Sequence, residues 1–177
     1  MKNAVPIKNP GIPMLFQTAI LNCRHLLLLV LLSVVFNSGF AQSKFVKKFR
    51  PLVDSLSGEY DIPASVILGI SIIESSSGTS RNCKLLNNYF GIVGKNKVFK
   101  TNGIKTRYKQ YDDATASFVD FCHLMKKKKF YKTLKGNMNY VLWIDAISKS
   151  GYSEIPDIWK ETIIATIRKN KLSATRY

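Results

Sequence analysis

The stretch Ser71-Ile72-Ile73-Glu74-Ser75-Ser76-Ser77-Gly78-Thr79-Ser80, trailed after six residues by Asn87-Asn88-Tyr89-Phe90-Gly91-Ile92, decides how this chain is read. An apolar run closes on one acidic residue, a Ser/Gly turn follows at once, and an aromatic-Gly segment lies within reach. A carboxylate on the last turn of a buried helix is held by packing while its oxygens project into a cleft. Partial loss of water there raises its pKa toward the range of an acid catalyst. The competing reading is a glutamate on a solvated helix surface, where most helical carboxylates sit.

Working outward, Ala64 to about Ser76 is apolar nearly all round through Val66, Ile67, Leu68, Ile70, Ile72 and Ile73, which predicts the core helix, with Glu74 at its exit. Asp61-Ile62-Pro63 precedes it, and proline is tolerated at a helix start because its missing N–H has no partner there. Upstream, Phe45, Phe49, Leu52, Val53 and Leu56 repeat at helical spacing and predict an amphipathic helix ending before Gly58. Downstream, Asn102-Gly103 between Lys97-Val98-Phe99 and Ile104 to Tyr108 predicts a β-hairpin. Asp112 or Asp113 then caps a helix carrying Phe118, Phe121, Cys122 and Met125. Short helices are predicted near Phe130 to Leu134 and Tyr140 to Ser148, and a last one from about Pro156 to Lys169 with Ile158, Trp159, Ile163, Ala165 and Ile167. No repeat, low-complexity tract or linker interrupts the pattern.

Four ordered motifs span most of the chain: Glu74-Ser75-Ser76-Ser77-Gly78-Thr79-Ser80, Asn88-Tyr89-Phe90-Gly91-Ile92, Arg107-Tyr108-Lys109-Gln110-Tyr111-Asp112-Asp113 and Gly151-Tyr152-Ser153-Glu154-Ile155-Pro156. Together they resemble the glucosaminidase family of peptidoglycan hydrolases from about Phe45 to Leu172. The resemblance implies a lysozyme-like α+β fold, mainly helical with a small β-hairpin lobe beside the cleft. It also implies hydrolysis of the β-1,4 bond after N-acetylglucosamine, with Glu74 as general acid. Small residues Ser71, Gly78 and Ser80 near Glu74 leave room for a sugar or simply end the helix. Asn88, Tyr89, Phe90 and Gly91 are candidate substrate contacts, although both aromatic rings can equally fill the core. Tyr152 aligns with the family's Gly-Tyr segment and is the candidate to position a 2-acetamido group; a packed tyrosine is the alternative.

Glycosidic cleavage ordinarily needs a second group besides the acid. Several family members carry a second acidic residue in the hairpin, but Lys95 to Gln110 contains neither Asp nor Glu. Three routes stay open: inversion with a carboxylate from elsewhere, substrate assistance by the acetamido group, or weakened or lost activity. Among Asp112, Asp113, Asp120, Asp145, Glu154 and Asp157, which mostly read as caps or surface charges, Asp113 and Glu154 are the candidates. The rival readings are a lytic transglycosylase, which also uses one glutamate on a related scaffold, and a wall-binding module without turnover.

Residues 1–41 carry Lys2, Lys8 and Arg24 with no acid, then the apolar run Leu26 to Phe36, then Asn37 to Ala41. This reads as a secretory signal peptide cut after Ala41. The run is shorter than the ~20 residues that span a bilayer, with an uncleaved anchor as the alternative. Residues 42–177, roughly 136 of them, suit one catalytic domain and are too few for two. Removing the three leader charges from +16 leaves +13, which favours anionic polymers of a cell envelope; nucleic acid, the partner of choice for an intracellular chain, is not expected of an exported one. Cys83 and Cys122 remain after cleavage, and in an oxidising compartment the pair can close a loop of about 40 residues, worth about 4 kcal/mol. His123 is the only histidine past the leader, too few ligands for zinc, so neither a metal nor another cofactor is expected.

Overall fold

The computed structural model describes residues 44–173, and the leader, with its proposed cut after Ala41, lies outside them. Eight helices follow in order: α1 over 44–60, α2 Ala64–Ser75, α3 Arg81–Leu86, α4 Val98–Asn102, α5 Ala114–Lys126, α6 Tyr131–Leu134, α7 Tyr140–Ser148 and α8 Pro156–Lys169. Helix α1 runs past Gly58, because its buried face of Phe45, Phe49, Val53, Leu56 and Tyr60 continues at spacings of three and four. Burial of that face outweighs the modest cost of one helical glycine.

Helix α2 is the axis of the fold. Residues Val66, Ile67, Leu68 and Ile70 are inaccessible to solvent, and α7 and α8 pack on this helix and on one another. At Gly69 the approach is closest: a Cβ there would lie 2.7 Å from Ile167 Cγ1 and 3.4 Å from Ile163 Cγ2. The Ile167 contact is shorter than van der Waals packing permits, so glycine is what lets α8 sit this near. On the other flank, an aromatic layer ties α1 and α5 to the Asn88–Gly91 segment. Phe49 stacks on Phe118 at 4.9 Å and Phe90 stacks on Phe121 at 4.2 Å.

The expected β-hairpin lobe does not form. Val98–Asn102 instead makes the short helix α4, and Gly103, at φ +67°, accepts the left-handed conformation that ends it, its N–H bonded to Phe99 O at 3.0 Å. Asn-Gly serves a hairpin turn and a helix end equally well, since both require positive φ. Among the described residues strand-like pairing is limited to the base of this loop, an antiparallel bridge between Val93 and Tyr108. Backbone bonds Gly94 N to Arg107 O (3.0 Å) and Lys109 N to Ile92 O (2.8 Å) close it. Beyond them the Asn96 side chain takes over, donating to the carbonyls of Thr106 and Tyr108 at 2.9 Å each.

The disulfide expectation is also corrected: Cys83 and Cys122 are both buried free thiols. Cys83 lies on α3 and Cys122 on the buried face of α5; both are packed into the same apolar core as small hydrophobic side chains and stay unbonded to one another. Ile158, expected on the core face of α8, is mostly exposed; the buried face is Trp159, Ile163, Ile164, Thr166 and Ile167.

Candidate active site

Glu74 occupies the last turn of α2, and three consecutive left-handed residues follow: Ser76 (φ 50°), Ser77 (φ 55°) and Gly78 (φ 77°). Left-handed serines cost about 1 kcal/mol or more each. The turn offsets this with Ser77 N to Ile72 O at 2.8 Å, Ser80 N to Ser75 O at 3.0 Å and Gly78 N to Ser75 Oγ at 2.8 Å. The chain therefore reverses immediately after Glu74 and leaves its side chain at the helix exit.

Two segments meet that carboxylate. From α8, the Trp159 indole Nε1–H donates to Glu74 Oε1 at 2.8 Å. From the Phe90–Gly91 segment, Gly91, at φ +66°, presents its bare Cα side to the other oxygen; a Cβ there would stand 3.1 Å from Oε2. Glu74 is half-buried, and loss of water raises its pKa above the ordinary glutamate value, only partly countered by the Trp159 hydrogen bond. No charged group among the described residues contributes to that shift.

Tyr152 completes the group. Its hydroxyl donates to Phe90 O at 2.7 Å and its ring leans on Trp159 at 5.4 Å between centroids. Burial and then the nearby Glu74 carboxylate push its pKa well above 10, so the hydroxyl stays protonated. It buttresses both the tryptophan and the segment that carries Gly91.

The other expected contacts turn inward. Ser71 is fully buried and donates to Leu68 O at 2.9 Å. Asn88, 3% exposed, spends its amide on the loop: Nδ2 donates to Ile92 O and Lys109 O at 2.8 Å each, and Oδ1 accepts from Phe90 N and Ile92 N. Tyr89 lies against Phe45, Phe49 and Phe118, and Phe90 against Phe118 and Phe121. Gly78 abuts the Phe45 ring, and Ser80 caps α3 by accepting from Cys83 N at 3.2 Å. These six are engaged within the fold, whereas Glu74, Trp159, Gly91 and Tyr152 meet around the carboxylate. Trp159 was not singled out in the sequence as a site residue. A buried indole must place its N–H on an acceptor, and that requirement was its only signal.

The remaining acids cap a helix, pair with a cation or lie exposed, Asp54 with Arg50 and Asp61 with Lys135 among the pairs and Glu59 and Glu161 among the exposed. Asp113 caps α5, accepting from Ala116 N at 2.8 Å. Glu154 is exposed and 3.5 Å from Arg107. Asp145 pairs with Lys149 and Lys160. At Asp120 burial acts to raise the pKa, but hydrogen bonds from Lys109 and Tyr111, both 2.7 Å, together with the lysine charge hold it below the ordinary value. Asp112 and Asp157 are exposed.

Comparison with known proteins follows the same lines. The glucosaminidase family, described as mannosyl-glycoprotein endo-beta-N-acetylglucosaminidase, matches residues 50–172. Among solved structures, the catalytic domain of the autolysin Auto from Listeria monocytogenes superposes with TM-score 0.61 at 18% identity, over 75% of this chain and 86% of that one. The C-terminally truncated glycoside hydrolase domain of FlgJ from Salmonella typhimurium gives 0.60 at 16% identity, over 73% and 97%. A peptidoglycan hydrolase mutant from Sphingomonas sp. A1 gives 0.56 at 19%, over 74% and 95%. No curated protein sequence matches. At these identities the superpositions establish a shared fold.

Proposed function

This chain belongs to the glucosaminidase family and is a glycoside hydrolase, and from that premise we propose that it is an endo-β-N-acetylglucosaminidase of peptidoglycan with Glu74 as its general acid. The observation that carries the residue assignment is the half-buried Glu74 carboxyl, held by Trp159 and shifted toward its protonated form. Peptidoglycan as substrate is supported by the autolysin and peptidoglycan hydrolase among its structural neighbours.

With every other described carboxylate capping a helix, ion-paired or at the surface, the substrate-assisted route is the best supported of the three. Glu74 gives its proton to the glycosidic oxygen as the C1–O bond breaks, and the 2-acetamido oxygen of the same sugar bonds to C1 from the opposite face. Water then adds to C1, surrenders a proton to the Glu74 carboxylate, and the acetamido bond to C1 opens. The protein supplies a proton and orientation, which a preformed intramolecular nucleophile makes sufficient. Tyr152, kept neutral, positions the acetamido group through its hydroxyl oxygen while its O–H goes on donating to Phe90 O.

Export through the residue 1–41 leader places the enzyme at its substrate. Exposed lysines such as Lys126, Lys127, Lys129 and Lys132 favour anionic envelope polymers, an attraction that salt weakens. Mass spectrometry of digested sacculi tests the reaction. Fragments ending in reducing N-acetylglucosamine are expected. Anhydro-muramic ends would make it a lytic transglycosylase, and binding without soluble fragments would make it a wall-binding module.

A further inference from the structure

Of the two tryptophans past the leader, Trp143 satisfies its N–H on a backbone carbonyl, Asn137 O at 2.7 Å, whereas Trp159 places its N–H on the one carboxylate of the site. We propose that Trp159 is a positioning residue for the proton transfer: by holding Glu74 Oε1, it reserves Oε2, the oxygen facing Gly91, to give and take the catalytic proton. This inference rests on the assignment of Glu74 as acid and adds which oxygen acts and what selects it.

The geometry is built, not incidental. Trp159, Ile163 and Ile167 fall at i, i+4 and i+8 on one face of α8, and that face meets α2 at Glu74 and Gly69. The glycine contact fixes how close the helices lie, and with it the reach of the indole. Tyr152 backs the indole ring and also holds Phe90 O, so one side chain sets both the donor to Oε1 and the glycine beside Oε2. A carboxyl oxygen accepting a hydrogen bond from N–H is the poorer site for the acid proton, because that proton would confront the indole hydrogen. The proton therefore resides on Oε2, where the absent side chain of Gly91 leaves a path. Titratable neighbours do not confuse this: Tyr152 remains neutral, and no Lys, Arg, His, Asp or other Glu among the described residues contributes to the shift at Glu74.

Two measurements test it. In Trp159→Phe, which keeps a ring and loses the donor, the alkaline limb of the kcat/KM profile should move up by about one pH unit, the scale of one hydrogen bond to a carboxylate. In the same variant kcat should fall about tenfold or more from lost orientation while KM holds. In the unaltered protein, the Trp159 indole N–H proton resonance should shift with pH at the same midpoint as the activity limb, be pH-independent in Glu74→Gln, and leave the Trp143 resonance unmoved. A raised KM with unchanged kcat, an unmoved limb, or an indole resonance that ignores pH overturns the inference. An indole resonance that titrates in a protein whose Glu74→Gln variant stays active would sink the acid assignment while leaving the contact itself standing.

Discussion

Replacing Gly69 by alanine sets two effects of known size against each other. Alanine is favoured over glycine inside a helix by about 1 kcal/mol. Against this, the new Cβ would lie 2.7 Å from Ile167 Cγ1, on a side chain with no solvent to retreat into. Relieving that contact requires α8 to back away by about 1 Å, and overpacking of this kind costs about 1–3 kcal/mol. The contact is with the inner part of a branched side chain, which puts the cost in the upper half of that range. The net loss is then about 1–2 kcal/mol, a fall in Tm of about 5 °C for a domain of this size. Activity should fall more steeply, more than tenfold, because the same displacement draws Trp159 away from Glu74 and a shift of about 1 Å can cost a hundredfold. Differential scanning calorimetry and release of reducing ends from sacculi, run on the same sample, read both. Gly58→Ala is the control: it lies in α1 with nothing within 4 Å, so the propensity gain should appear alone as a higher Tm. If Gly69→Ala also rises in Tm and keeps its kcat, the α2–α8 contact yields freely and the register argument fails.

Three further outcomes follow from the same geometry. Gly91→Ala combines a left-handed backbone with a Cβ 3.1 Å from Glu74 Oε2; it should cost about 1–2 kcal/mol of stability and a larger share of kcat, and an unimpaired rate would show that Oε2 does not act through that opening. Glu74→Gln should be more stable than the unaltered protein at pH 7, with the advantage vanishing below the glutamate's unfolded pKa. The sign follows because the folded pKa is raised: the folded state holds the proton more tightly, so stability falls as pH climbs from the unfolded value through the folded one; thermal melts at pH 4 and pH 7 that differ equally for both proteins would refute it. Burial pushes the Cys122 thiol up to about 12 and also raises Cys83, so neither should react with a thiol reagent at pH 8 until denaturant is added, and a reductant should leave Tm unchanged.

Much of this arrangement was legible in the sequence because it depends on local periodicity. Helices α2, α5, α7 and α8 follow their apolar spacing, and of the two candidate caps, Asp112 and Asp113, it is Asp113 that caps α5. The acid at the exit of an all-round apolar helix marked Glu74. What failed was decided by non-local competition. Asn102-Gly103 carries the same preference for a hairpin turn and for a helix end; in the fold it ends α4, and the Asn96 side chain takes the carbonyls of Thr106 and Tyr108 that a ladder would have used. Asn88 and Ser71 carry polar groups that suit a sugar or a backbone carbonyl equally, and only the folded loop shows that their hydrogen bonds are spent inward. Trp159 stands 85 residues from Glu74, a separation at which spacing carries no information. The bridge between Cys83 and Cys122 failed for the same reason, because an even count says nothing about approach.

The most direct test of the central claim is the rate at which Glu74→Gln releases soluble fragments from purified sacculi, with circular dichroism and Tm recorded on the same preparation. Glutamine keeps the shape and the oxygen that accepts from Trp159 but has no acidic proton to give. The account predicts a folded protein, at least as stable at neutral pH, whose lytic rate falls a thousandfold or so, on the order of the loss of a general acid. A folded variant that still lyses the wall at more than a few per cent of the original rate would contradict it.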